Sequence, residues 1–215
     1  MYLSKQDILH LDRIKRINII NALSGIKPAN LIGTQSKSGH SNLAIFSSVV
    51  HLGSNPGYFG FIMRPTNDVR RDTYNNIIET GIFTINHIHS NFAAQAHYTS
   101  AKFGATVSEF AHCGLTEEFK FDFKAPFVKE SNIKMGLKHL ESVPIKSTNT
   151  IMLIGEVQHL FFPEFAMDAA GMINLEALDN IGISGLNIYY QLKKLATFPY
   201  ARVTEPPKFD NGAIK

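Results

Sequence analysis

The sequence has one cysteine, Cys113, among its 215 residues, and it has no tryptophan. A single cysteine cannot form an intrachain disulfide, so we expect a reducing compartment. No apolar run approaches the roughly 18 residues of a membrane-spanning helix, and the first residues are too polar for the apolar stretch of a signal peptide. These absences predict a soluble, cytoplasmic protein with no membrane partner.

The sequence also has little excess of charge of either sign. The 21 Lys and Arg residues and 18 Asp and Glu residues leave a net charge of +3, which is too small for the basic footprint of a nucleic-acid-binding protein. The lack of tryptophan also counts against a barrel that binds nucleic acid through arginines and aromatic rings. Hydrophobic residues make up 44% of the chain, as in ordinary globular proteins. We expect a single domain over residues 1–215 and no nucleic-acid partner.

Hydrophobic periodicity predicts short strands separated by small helices. An N-terminal helix is expected within residues 7–23, a second helix between a cap at Asp72 or Thr73 and the stop at Gly81, and a short one after Asn91. Residues 186–195 are expected to be helix or loop, and the tail from Pro206 to be frayed or partner-bound. The predicted strands are residues 29–34, 43–50, 58–63, 82–88, 133–140 and 150–162.

The connections between the early strands are short turns, such as the polar, glycine-containing segment 35–41. Short turns favour antiparallel pairing, because parallel strands need a long crossover. The pattern therefore predicts a mainly β protein, a barrel with helical decoration, rather than a parallel βαβ sheet.

Familiar catalytic signatures are missing from the sequence: it has no P-loop, HExxH, GxSxG or CxxC motif. His87 and His89 would share one face of a strand, but no further ligands lie nearby in the sequence, so we interpret them as structural and expect no metal. His112 and Cys113 would point to opposite sides of a strand and could not share a proton. We expect Cys113 to be a small buried thiol.

The segment 41–48 mixes small residues with hydroxyl groups, which lets a strand approach a flat polar ligand closely. Asn42 offers a donor and an acceptor, and Ser47 and Ser48 offer hydroxyls on opposite faces. The alternative is a plain edge strand with a polar solvent face.

Three arginines and two threonines precede the predicted helix at Asp72. Arg64 and Thr66, followed by Arg70, Arg71 and Thr73, could cradle a phosphate, since guanidinium groups match phosphate oxygens and a helix N-terminus adds free N–H groups. The alternative for Arg70 and Arg71 is a solvated face, and Arg64 is the stronger candidate for ligand contact. Lys102, after Tyr98, is another cation beside an aromatic ring.

Several segments, taken in order and with their spacing, resemble the flavin reductase-like family over roughly residues 28–200. The resemblance lies in residues 30–34 (NLIGT), 41–48 (SNLAIFSS), 71–73 (RDT) with Asn76, 80–86 (TGIFTIN), 108–110 (SEF), 114–116 (GLT), 154–157 (IGEV) and 182–190 (GISGLNIYY).

The resemblance implies the FMN-binding split barrel: mainly β with small helices, antiparallel and Greek-key-like, with the N-terminal helical segment and the C-terminal tail as extensions. It also implies a homodimer with FMN near the dimer interface. In the family pattern the flavin is lined by Asn42, Leu43, Ala44, Ser47 and Ser48. The residues implied for the phosphate and ribityl end are Arg64, Arg71, Thr73 and Lys102, and those for the ring or nicotinamide side are Tyr98 and Tyr189.

By this resemblance the chain is an NAD(P)H-dependent flavin oxidoreductase that takes a hydride onto FMN and passes electrons to an acceptor that the sequence does not identify. No residue is assigned as catalytic, because hydride and electron transfer are chemistry of the flavin. The alternative is a flavoredoxin-like carrier or sensor without NAD(P)H turnover. It stays open because residues 187–190 read Asn-Ile-Tyr-Tyr where some reductases of the family have His-x-Tyr.

Overall fold

The structure is a computed structural model, and it describes residues 1–65, 70–104 and 107–205. Thr66 of the expected phosphate cradle and the tail from Pro206 lie outside these residues.

Strands account for most of the regular structure. The strands are β1 (Lys27–Pro28), β2 (Asn30–Gln35), β3 (Ser41–Phe46), β4 (Val50–Ser54), β5 (Gly57–Met63), β6 (Ile82–His87), β7 (Glu117–Glu118), β8 (Phe127–Val128), β9 (Lys134–Ile145), β10 (Thr150–Phe161), β11 (Ile181–Ser184) and β12 (Ile188–Gln191).

Helices are short and lie between the strands. The α-helices are α1 (Lys5–His10), α2 (Arg13–Ala22), α3 (Asp72–Thr80), α4 (Ala93–Tyr98) and α5 (Glu109–Cys113), and 3-10 turns span Ser90–Phe92 and Glu164–Ala166.

The main sheet has seven strands in the order β3-β2-β6-β9-β10-β5-β4. Its edge strands, β3 and β4, are joined by residues 47–49 alone. Four residue steps span at most about 14 Å, whereas a flat seven-stranded sheet would hold its edges roughly 29 Å apart. The sheet must therefore curl until its edges meet. Ser48 helps to close it, since the Ile62 N–H on β5 donates to Ser48 Oγ at 3.0 Å.

Every strand pairing among the described residues is antiparallel. Smaller sheets are formed by β1-β11-β12 and by β7-β8. This arrangement confirms the predicted antiparallel barrel with helical decoration and excludes the parallel βαβ alternative.

The barrel interior is one hydrophobic core, centred on Phe61. Its ring contacts Phe46 and Phe83 edge-on, at centroid distances of 4.9 and 5.5 Å. A second core lies outside the barrel and includes Leu31, Leu43 and residues of α4, α5 and β11. Strand β3 therefore has a hydrophobic cluster on each side and is held in place from both.

Helix α3 ends as predicted, with Gly81 in the left-handed conformation at φ 75°, which glycine adopts without steric cost. Its start was predicted wrongly: the N-cap is Arg71, which makes no side-chain capping bond, and Asp72 and Thr73 are the first helical residues.

Two other local predictions were also wrong. The expected strand 43–50 is interrupted after Phe46, and its last residue begins β4. The segment 186–195, expected to be helix or loop, contains β12, whose Tyr189 pairs with Ile183 of β11. In both places tertiary pairing decides the conformation. Within the described ranges, no helix is long and apolar enough to cross a membrane.

Candidate functional site

A cavity of about 250 Å³ lies between the β2–β3 hairpin and the start of α3. Its lining is mostly polar: Ser36, Ser38, His40, Ser41, Asn42, Arg70, Asp72, Asn76 and Val107. The structure thus brings Asn42 of the predicted ligand strand to the predicted cationic turn.

The N-terminus of α3 forms one wall of this cavity. Because Arg71 makes no side-chain cap, the first N–H groups of the helix have no intrahelical or capping partner. Arg71 Nε donates to the carbonyl oxygen of Pro65 at 3.2 Å, and Arg70 pairs with Asp72. The N–H groups of the first helical turn and the Arg70 guanidinium group make this wall suitable for an anion. Arg71, at the N-cap, is not among the residues that line the cavity.

Asn42 connects β3 to this wall. Its Nδ2 donates to Thr73 Oγ1 at 3.0 Å and to Thr34 Oγ1 at 3.3 Å. Asn76 Nδ2 donates to the same Thr34 oxygen at 3.1 Å. The Asn42 side chain is half-buried, while Thr34, Thr73 and Asn76 are buried. This network fixes the edge strand against the first turns of α3.

Leu43 is turned away from the cavity. Its side chain is fully buried in the outer hydrophobic core, and its N–H donates to Glu109 Oε2 at 2.9 Å. Burial, together with the charge of Asp72, raises the pKa of Glu109. The backbone N–H of Leu43, a residue that the resemblance places along the flavin, is therefore bound to the side chain of Glu109 on α5.

The rest of the predicted ligand strand has mixed roles. Ala44 is half-buried on the same face as Asn42, because alternate strand residues share a face. Ser47 is half-buried in the connection to β4. Ser48 is used structurally, in its bond with Ile62.

Arg64 and Lys102 are exposed. Neither side chain makes a hydrogen bond or ion pair to another described residue, and neither lines the cavity. The structure therefore does not bring them together with Asn42, whereas it places Arg70, which the prediction ranked below Arg64, in the cavity lining.

The two predicted tyrosines lie apart from the cavity lining. Tyr98 is exposed and packs edge-on against Phe103 at 5.5 Å. The Tyr189 hydroxyl lies 2.9 Å from His97 Nδ1, and burial raises the pKa of Tyr189 to about 12. His97 was not predicted, and its only sequence signal was its position next to Tyr98.

The residues that the sequence analysis missed lie mainly in the β2–β3 hairpin. Ser38 Oγ lies 2.9 Å from Ser36 Oγ and 3.0 Å from His40 Nδ1, so the turn presents an ordered set of polar groups. The serine and histidine content of this turn was the available signal, but only the fold shows that it faces α3.

The two histidines that the sequence analysis interprets as structural both lie within hydrogen-bond distance of other residues. His87 Nδ1 lies 3.1 Å from Asn180 Nδ2, and burial lowers the pKa of His87 to about 4. His89 Nε2 lies 2.9 Å from the Glu130 carbonyl oxygen. No cluster of three potential metal ligands exists among the described residues.

Cys113 is the buried thiol that the sequence predicts, although it lies on α5 rather than on a strand. Burial raises the pKa of this thiol, so it stays protonated and unreactive at neutral pH.

The fold defines a split-barrel protein, and its cavity has a polar lining that includes Arg70. The family description "Flavin reductase like domain" matches residues 26–174, and the chain belongs to the flavin reductase-like family. The segment 182–190, which the sequence analysis included in the resemblance, lies beyond the matched residues.

Solved structures agree with this assignment. A Shewanella frigidimarina protein, named as a candidate flavin reductase with a split barrel domain, is 46% identical with a TM-score of 0.90, covering 94% of this chain and 100% of that chain. Nitrilotriacetate monooxygenase component B from Bacillus cereus is 23% identical with a TM-score of 0.80, covering 92% and 98%. The flavoredoxin of Desulfovibrio vulgaris (Miyazaki F) is 22% identical with a TM-score of 0.70, covering 82% and 92%. The last two show the shared fold, and together these matches confirm the predicted split barrel.

Proposed function

We propose that the chain is an FMN-binding flavoprotein and an NAD(P)H-dependent flavin oxidoreductase, as the sequence resemblance implies. The observation that carries the proposal is the cavity between the β2–β3 hairpin and the α3 N-terminus, where the N–H groups of an N-terminus without a side-chain cap, the Arg70 guanidinium group and the side-chain amides of Asn42 and Asn76 converge. Family membership supports the flavin as the ligand.

The donor set of the cavity fits the polar end of FMN. A phosphate dianion suits the uncapped α3 N-terminus with Arg70 and Arg71, since charge-assisted bonds to such groups are the strong ones. A ribityl chain carries hydroxyls that both donate and accept, which matches the Asn42 Oδ1 acceptor and the Ser36 hydroxyl. The negative charge of Asp72 repels an anionic ligand, and the ion pair between Asp72 and Arg70 reduces this repulsion.

Bound FMN would supply the hydride and electron chemistry. The residues of this chain bind and orient it: the α3 wall holds the phosphate, and the Asn42 network sets the distance between that wall and β3. The Glu109 carboxyl group is held close to β3 by its bond to the Leu43 N–H.

We also propose a cytoplasmic homodimer, as the resemblance implies. Apolar side chains are exposed along the edge strand β4, including Val50 and Leu52. A twofold partner would cover this apolar surface. Light scattering after size-exclusion chromatography tests the dimer, and a mass of one chain would contradict it.

The decisive experiment is a visible-absorption titration of purified protein with FMN, followed by anaerobic NADH or NADPH. We expect FMN to bind with a shifted spectrum and one nucleotide to bleach it over many turnovers. No binding of FMN would overturn the flavoprotein proposal. Binding without bleaching would overturn only the NAD(P)H dependence.

A second candidate function is a flavoredoxin-like electron carrier. The contact between Tyr189 and His97 favours it, because the hydroxyl of the tyrosine that the resemblance assigns to the nicotinamide side already has a hydrogen-bond partner. In that case a chemical reductant would bleach the bound flavin and neither nicotinamide would.

A further inference from the structure

A second cleft, of about 330 Å³, lies on the outer face of the barrel, where β6, β9 and β10 meet the end of α3. It shares no residue with the cavity at the α3 N-terminus. Its lining residues are Thr80, Gly81, Ile82, Phe123, Lys138, His139, Gln158 and His159.

Two β-bulges shape this cleft. On β9, Gly155 pairs with His139 and Ile154 with Glu141, so that Leu140 is an extra residue. On β10, Gln158 is the extra residue between Val157 and His159. Bulges bend strands and redirect side chains, and they are frequent next to binding sites. The lining residues His139, Gln158 and His159 all lie at or beside these bulges.

Aromatic rings form one wall. Phe123 meets His159 edge-on at 5.2 Å, and Phe121 stacks on the same histidine at 5.8 Å and 20°. Gly136 makes room for Phe123, because a Cβ at this glycine would lie 3.2 Å from the phenylalanine ring. The His159 ring is thereby held in one orientation, with aromatic carbon around it.

Lys138 supplies the charge of the cleft. It is the one lysine among the eight described lining residues, and none of these residues is acidic. Glu156 faces Lys138 across the strands, but the two make no ion pair within 4.0 Å. Lys138 is exposed, so its ammonium group is accessible to a small anion.

We propose that this cleft binds a planar aromatic carboxylate, with its ring against Phe123 and His159 and its carboxylate at Lys138. Rings favour stacked or edge-on contact with other rings, and the ammonium group favours an anion. The fixed ring wall beside a single cation selects for a molecule that has both features. An aliphatic acid would lack the ring contacts, and a neutral aromatic would lack the charge.

The test is a nuclear magnetic resonance titration of the full-length protein, with and without saturating FMN, using sodium benzoate, cyclohexanecarboxylate and benzyl alcohol. We expect benzoate to bind most tightly and to shift the resonances of Gly81, Lys138 and His159. Lys138→Met should weaken benzoate binding about fivefold, and His159→Ala should remove the preference for benzoate over cyclohexanecarboxylate. Lys146→Met, an exposed lysine in the β9–β10 turn, serves as the matched control.

Three outcomes would overturn this proposal: equal affinity for the aromatic and the aliphatic acid, no effect of Lys138→Met, or displacement of benzoate by FMN. Because FMN binding is measured separately, loss of the second site and failure of the flavin proposal are distinguishable.

Discussion

The side-chain amide of Asn42 donates a hydrogen bond to Thr73 Oγ1 at 3.0 Å and so joins the edge strand of the barrel to the first turn of α3. These residues are 31 positions apart in the sequence, and each lies on one side of the candidate flavin cavity. The width of the cavity therefore depends on this bond and on the neighbouring bond to Thr34.

Asn42→Ala should weaken FMN binding about tenfold, because it removes a ligand-facing amide and two bonds worth about 1 kcal/mol each. Flavin fluorescence quenching measures the change. Asn75→Ala, an exposed asparagine on the same helix, should bind as wild type. An unchanged affinity of Asn42→Ala for FMN would show that β3 does not contribute to the flavin site.

Arg71→Met should weaken FMN binding about tenfold while leaving riboflavin binding unchanged, since only FMN carries the phosphate. Parallel titrations with the two flavins measure this difference. Arg13→Met on α2 is the control for loss of one positive charge. Equal losses for both flavins would show that the α3 wall does not hold the phosphate.

Acid should destabilise the protein through His87. Its pKa falls to about 4 on folding because the half-buried imidazole loses contact with water, against about 6.5 when unfolded. Between these pH values the unfolded state binds more protons than the folded state. The free energy of unfolding therefore has its full value above pH 6.5 and falls by about 3 kcal/mol as the pH drops to 4. Urea unfolding of His87→Gln should show a shallower loss. His10→Gln, an exposed histidine, should follow wild type, and a steep loss in His87→Gln would contradict the assignment.

Glu109→Gln should stabilise the protein at neutral pH. Burial raises the pKa of Glu109 in the folded state, so protonation of Glu109 favours the folded state. This contribution to the free energy of unfolding is lost as the pH rises through the folded-state pKa. Glutamine retains an acceptor for the Leu43 N–H without the charge, whereas alanine does not. Thermal melts should therefore rank Glu109→Gln above wild type and Glu109→Ala below it at pH 7.5, with the advantage of glutamine vanishing near pH 4. The reverse ranking would contradict this account.

Tyr189 should ionise later than the other tyrosines, because burial raises its pKa to about 12. Alkaline titration of tyrosinate absorbance should show a late step from one of the seven tyrosines, and Tyr189→Phe should remove that step. Tyr2→Phe, at the exposed N-terminus, should leave it in place. If Tyr189→Phe also leaves NAD(P)H oxidation unchanged, the nicotinamide does not use this hydroxyl.

Most strands of the barrel could be predicted because their residues carry local signals. The polar turn at Gly39, the helix stop at Gly81 and the apolar run from Thr150 each show the correct element in the sequence. The break between β3 and β4 has no such signal, since Val49 and Val50 are as strand-forming as Ile45 and Phe46. It occurs because the curled sheet must pass the chain from one edge to the other.

The site was predictable only in part. Asn42 could be selected because its polar side chain on a strand of small residues is chemically suited to a ligand. Arg70 was considered for the phosphate cradle but ranked below Arg64, and Asp72 was expected only as a helix cap. Glu109 could not be found in this way, because its role depends on the position of α5 beside the edge of β3. Arg64 was ranked above Arg70 because it follows an apolar strand. Its position in the sequence does not indicate whether the folded chain brings its side chain to the cavity.

The amino-acid sequence alone determined the strand-rich pattern, the antiparallel connections and the polar composition of segments 35–42 and 70–73, since periodicity and turn chemistry are local. Only the tertiary structure decided that these two segments face one another across a cavity, that the Leu43 N–H is bound by a carboxylate and that Tyr189 contacts His97. Those relationships join residues 31 to 92 positions apart, and they depend on the closure of the barrel and the packing of helices against its edge.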